Sequence, residues 1–127
     1  MSTRTFLRLS GLILASTSAI GLLDIVGPAA DDSLLGPFWW FDDTESYIHL
    51  ILAVFSFWAS YAFSRTNQIN LAFATGVLFM VFGFYNIFSQ EFFGVSFHSI
   101  PDKIVHIVLG AVAFWVGAME RARHMMR

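Results

Sequence analysis

The 127-residue chain is 57% hydrophobic and 17% aromatic, with only 13% charged side chains and a mean hydropathy of +0.67; soluble domains carry about 25% charged residues. That composition places it among membrane proteins, and the length suits one domain, residues 1–127, without an appended soluble domain. A net charge of −2 argues against nucleic-acid partners, and the absence of cysteine excludes disulfides, thiolate metal sites and lipidation through Cys.

Four apolar runs follow one another, at 6–26, 46–63, 71–88 and 104–119, each long enough as a helix to cross about 30 Å of hydrocarbon. The first mixes hydroxyl residues with aliphatic ones behind Arg4 and Arg8, a pattern shared with signal peptides, and is read as a retained span. A long segment at 28–44, a short turn at 64–70 and a second long segment at 89–101 connect the runs, so both long segments fall on one side. Arg4, Arg8, Arg65, Arg121, Arg123 and Arg127 fall on the other side, against Lys103 alone on the loop side, which predicts that both termini are cytoplasmic. The outer segments then carry Asp31, Asp32, Asp42, Asp43, Glu45, Glu91 and Asp102, with Trp39, Trp40 and Phe41 at the outer interface and Trp58 and Trp115 at the inner one. Phe92, Phe93, Val95 and Phe97 are expected to fold onto the helix ends or to lie in the interface.

The chain repeats itself. At an offset of 57, Glu45, His49, Ala53, Phe57 and Trp58 lie over Asp102, His106, Gly110, Phe114 and Trp115; at an offset of 65, Gly11-Leu-Ile-Leu lies over Gly76-Val-Leu-Phe. The expected fold is therefore an all-α membrane protein of four transmembrane helices, built as two helical hairpins, about 5–63 and 70–120. Each hairpin crosses twice, so a pseudo-two-fold along the membrane normal should relate them.

Gly76 and Gly83, His49 with Ala53, and His106 with Gly110 give the chain a further likeness. It resembles an uncharacterised bacterial family of small four-helix membrane proteins, in which a Gly-bearing helix, an outer loop and a helix opening on His follow in order. The resemblance covers nearly the whole chain and departs from the pattern at Ala53 and in the polar first helix. It implies the fold and a bacterial inner membrane, cytoplasmic or photosynthetic, and no activity.

His49 and His106 are the sharpest chemical feature, because ionisable groups inside a span are costly. On a helix, His106 shares its stripe with Gly110, Ala113 and Gly117, and His49 shares its stripe with Ala53, Ser56 and Ser60. Such a face either lets another helix approach closely or forms a shelf for a ring-shaped cofactor held by imidazole. In the first case each imidazole bonds to a neighbouring helix or to Glu45 or Asp102 one turn back. In the second the ligand is a chlorophyll- or bacteriochlorophyll-type pigment or a haem, the chlorin being favoured because haem propionates want cations that this end lacks. A metal site of Glu45, His49, Asp102 and His106 is a third reading. Asp24 is expected in the outer headgroup region, Tyr85 and Asn86 in bonds between helices, and Ser16, Thr17 and Ser18 in bonds to their own backbone. The sequence shows no nucleophile with a base, no phosphate loop and no nucleotide fingerprint.

The function expected is that of a non-catalytic membrane subunit, set in the bilayer against the subunits of a larger respiratory or photosynthetic complex, with His49 and His106 either packing the helices together, the favoured case, or ligating a pigment or haem. A metal-dependent or redox membrane enzyme using the acid and His pairs, and a small transporter with a polar cavity between the hairpins, are the alternatives.

Overall fold

The computed structural model describes residues 1–89, 91, 92, 95, 96 and 99–126, without the side chains of 91–96. Four long helices dominate it: α1 (Thr3–Leu22), α2 (Asp43–Ala62), α3 (Arg65–Phe88) and α4 (Ile100–Met125). A 3-10 turn at Gly36–Phe38 and a two-stranded antiparallel ribbon, β1 (Glu91–Phe92) with β2 (Val95–Ser96), complete the described elements. α1, α3 and α4 are each long and apolar enough to cross a membrane, in keeping with a multi-pass membrane protein. α2 matches α1 in length at 20 residues, but its first two turns carry Asp43, Glu45, Ser46 and His49.

Each helix starts where a short polar side chain can accept an orphan backbone N–H. Ser2 accepts from Thr5 N, Asp42 from Glu45 N at 2.7 Å, Ser64 from Asn67 N and Ser99 from Asp102 N; such caps contribute about 1 kcal/mol each. The Ser64 cap starts α3 at Arg65, so the turn expected over 64–70 shrinks to Phe63 and Ser64 and the rest of that segment is helix. The first apolar run ends earlier than its hydropathy implies. Asp24 takes φ +55, and the amides of Asp24 and Ile25 turn back to Gly21 O and Ile20 O, which closes α1 at Leu22.

The interior is built from small residues. Ala59 and Ala72 are fully buried, while Trp58, Trp115 and Phe88 are 55%, 64% and 89% exposed. A surface so apolar around so thin a core suits hydrocarbon as the surrounding medium, where close backbone approach replaces hydrophobic burial. The approach is tightest in the α3–α4 pair. A Cβ on Gly110 would lie 2.7 Å from Met80 N and one on Gly117 2.8 Å from Phe73 N, and the Gly76 position is closed by the Phe114 backbone. In the α1–α2 pair Gly11 lies against the Phe57 ring and Gly21 against Ser46. α1 packs extensively on α2 and α3 on α4, whereas α1 meets α3 and α4 more sparsely. The expected packing of Phe92, Phe93, Val95 and Phe97 concerns side chains outside the described ones, and Arg127 lies outside the described residues.

Candidate functional site

α1 and α3 end, and α2 and α4 begin, at the end of the bundle that carries the long connections. The antiparallel registers therefore align particular side chains there. Gly21 opposite Ser46 and Gly11 opposite Phe57 bring Ser18 to the level of His49, and Gly83 against Ile107 brings Asn86 to the level of the first turns of α4. Across the gap between the pairs, the rings of His49 and His106 stack with centroids 6.4 Å apart. One turn nearer the helix starts, the buried carboxyls of Glu45 and Asp102 meet and interact through their side chains.

This end buries a polar cluster, called the chamber from here on. Glu45, Ser46, His49, Asn86, Ser18 and Asp102 are all at least nine-tenths buried. His106 Nδ1–H donates to Asp102 O at 2.7 Å, which fixes its tautomer and ring plane. Phe41, only 1% exposed, seals the chamber from above, with its ring edge-on to His49 at 5.8 Å and to Trp39 at 5.7 Å. The connection that delivers Phe41 is tied down by its own backbone: Phe41 N donates to Val26 O at 3.0 Å, Gly27 lets the Phe41 carbonyl come close, and Ser33 Oγ donates to Trp39 O at 2.6 Å.

Hydrogen bonding in the chamber is incomplete. Glu45 and Trp39 turn their side chains toward Asp102, but both polar atoms of Asn86, His49 Nδ1, Ser18 Oγ and Ser46 Oγ have no hydrogen-bond partner among the described residues. Buried polar groups are nearly always paired, and each unpaired one costs about 1–3 kcal/mol. Here they gather at one end of one bundle, rather than being scattered through the protein.

Directly below the chamber lies a cavity of about 230 Å³ between the two helix pairs. Leu52 and Leu109, each three residues after a chamber histidine, line it together with Phe79, whose ring meets His106 edge-on at 5.7 Å. All four helices contribute to its wall, which is mostly hydrocarbon with Ser10, Ser56 and Thr75 interspersed. Exposed Ile13, Phe55 and Leu78 flank it, so it communicates with the surface of the bundle.

The structure brings His49, His106, Glu45 and Asp102 together, yet no group of three or more His, Asp or Glu side chains among the described residues is arranged to hold a metal ion. The α4 stripe of Gly110, Ala113 and Gly117 is covered by α3 and offers no open shelf for a macrocycle. Trp58 and Trp115 point outward. Ser16 and Thr17 donate to Leu12 O and Ile13 O at 2.9 Å, whereas Ser18, expected to do likewise, is turned inward. Asn86 bonds to no neighbouring helix, and Asp24 is exposed.

A second polar cluster at the arginine end had no counterpart in the sequence reading. Glu120, 4% exposed, accepts from Arg65 Nη2 at 3.0 Å and lies 3.6 Å from Arg123, and Gln68 Nε2 donates to the carbonyls of Ala59, Ser60 and Phe63 at the end of α2. Every bond there is closed, so the cluster acts as a structural fastening. Comparison with protein-family models, curated proteins and solved structures gave no match, and the functional reading rests on geometry alone.

Proposed function

We propose that this chain is a non-catalytic four-span membrane protein that works by binding, with His49 and His106 at the centre of a ligand chamber at the outer end of the bundle. The observation that carries the reading is the gathering of five unpartnered buried polar atoms, from Asn86, Ser18, Ser46 and His49 itself, beside a buried carboxyl pair. A ligand held there completes bonds that the protein leaves open, and the protein needs no nucleophile or base to do so.

Four spans in two repeated hairpins remain part of the reading, as does the likeness to the four-helix family. Gly11 meets Phe57 as Gly76 meets Phe114, the two contacts being related by the offsets of the repeat. Glu45 facing Asp102 and His49 facing His106 are the self-pairings that a two-fold axis between the halves produces. Both termini are cytoplasmic in this reading, the membrane is a bacterial inner one, and the aromatic exterior beds against lipid and other membrane-protein subunits. The covered α4 stripe favours a ligand smaller than a tetrapyrrole.

The test is recovery of the protein in mild detergent, followed by mass spectrometry and a visible spectrum of wild type and His49→Leu. A small molecule that accompanies the wild type in stoichiometric amount and is lost from the variant is the expected result. A protein with no accompanying small molecule, and no change in its partners or its content on substitution, overturns the reading. Single cysteines at 32 and 124 test the topology: labelling of both from the same face of the membrane contradicts it.

A further inference from the structure

Resting on the chamber reading, we infer that the ligand is an amphipathic organic cation: a protonated amine on a hydrocarbon body. The ammonium lies between Glu45 and Asp102, and the hydrocarbon extends into the cavity between the two helix pairs.

Charge makes the first part of the case. Two buried carboxyls, those of Glu45 and Asp102, meet in the chamber beside the unpartnered amide of Asn86. Two carboxyls in contact out of water cannot both ionise easily, and a cation at hydrogen-bond distance is what lets both do so. Glu120, at the other end of the bundle, has such a complement in Arg65 and Arg123. The chamber has no arginine, and its histidines face each other and the Asp102 carbonyl rather than Glu45. Anionic heads such as a carboxylate or phosphate would meet two carboxyls and no arginine. Asp31, Asp32, Asp42 and Asp43 on the same side extend the negative field and draw cations toward it.

Hydrogen bonding and shape make the second part. A protonated amine brings two or three N–H donors, which suit the Glu45 oxygens, Asn86 Oδ1 and the hydroxyls of Ser18 and Ser46. Phe41 and Trp39 add aromatic rings beside the carboxyl pair, surroundings in which an ammonium is further stabilised. A bare metal ion is less suited, because no three ligating side chains converge among the described residues. The cavity of about 230 Å³ starts one turn below the histidines and reaches the bundle surface past Ile13, Phe55 and Leu78, so a molecule dissolved in the membrane can reach the chamber tail and all.

The experiment compares three probes of equal chain length, dodecylammonium, dodecanol and laurate, added to the full-length protein in zwitterionic nanodiscs, with tryptophan fluorescence and thermal unfolding as readouts. Dodecylammonium is expected to bind at least tenfold more tightly than either of the others. Glu45→Gln, which keeps shape and removes charge, should abolish that preference while leaving any dodecanol binding unchanged, and Thr75→Phe, which fills the cavity, should weaken dodecylammonium but not methylammonium. Preference for dodecanol or laurate that is lost in His49→Leu overturns the cation assignment and keeps the chamber as a binding site. Failure of all three probes to alter either signal, with Glu45→Gln simply more stable than wild type, overturns both, since the two carboxyls then share a proton and hold nothing.

Discussion

The imidazole rings of His49 and His106 lie 26° from parallel, with centroids 6.4 Å apart, and so join two helix pairs that otherwise touch sparsely at this end. One ring is fixed by its bond to the Asp102 carbonyl; the other has a buried Nδ1 without a partner. The two positions are therefore unequal in what they hold and what they leave open.

Replacing His106 by Leu removes the bond to Asp102 O and the ring contacts to His49 and Phe79, while leaving the Gly110 and Gly117 crossings intact. The expected loss is about 1–2 kcal/mol, seen as a lower midpoint in thermal unfolding in detergent. An unchanged midpoint would mean that the stack contributes nothing to holding the pairs together.

Asn86→Leu should act in the opposite direction. The amide is fully buried with neither polar atom bonded, so an apolar side chain of similar size relieves about 1–3 kcal/mol of desolvation. The ligand-free variant is expected to unfold at a higher temperature than wild type and to bind ligand more weakly. Stability exchanged for binding at one residue marks a functional position, and a variant less stable than wild type would show that the amide is satisfied.

Gly110→Val tests the close crossing of α3 and α4. Its first carbon would lie 2.7 Å from Met80 N, and overpacking of this kind costs about 1–3 kcal/mol. Ala111→Val, one position round on an exposed face, serves as the control and should leave the unfolding midpoint where it is.

Arg65→Leu strips the nearer cation from Glu120 and leaves its buried carboxylate with Arg123 at 3.6 Å. The expected cost is about 1–3 kcal/mol. Combining Arg65→Leu with Glu120→Gln should cost less than the sum of the two single changes, as coupled partners do. Strict additivity in that cycle would show that the pair does not interact.

Most of the fold is written in the hydropathy and the caps. The four apolar runs, the small-residue stripes and the outward tryptophans all follow from helical periodicity, and the capping residues Asp42, Ser64 and Ser99 refine the helix starts. The site is only half legible. His49 and His106 stand out because imidazole is rare among aliphatics, and the repeat pairs them. Asn86 and Glu120 lie at the ends of the same stripes, three residues beyond Gly83 and Gly117, and following each stripe outward would have found them. Phe41 is different in kind. Nothing local distinguishes it from Phe38 in the same segment, which is exposed; its place over His49 depends on the path that Val26 and Gly27 impose on the connection.

The glycine crossings also set where this molecule can yield. Along the α3–α4 contact, Gly76, Gly110 and Gly117 let the two backbones come close, so a tilt of one helix against the other meets repulsion early. The seam between the two pairs is spanned instead by flexible side chains around an empty space. Mechanical compliance is therefore concentrated in that seam, and at the arginine end the Gln68 bonds to the last carbonyls of α2 hold it shut. If the proposed ligand enters from the side, the expected motion is a spreading of the two helix pairs at the end away from the Gln68 bonds, with the helices themselves intact.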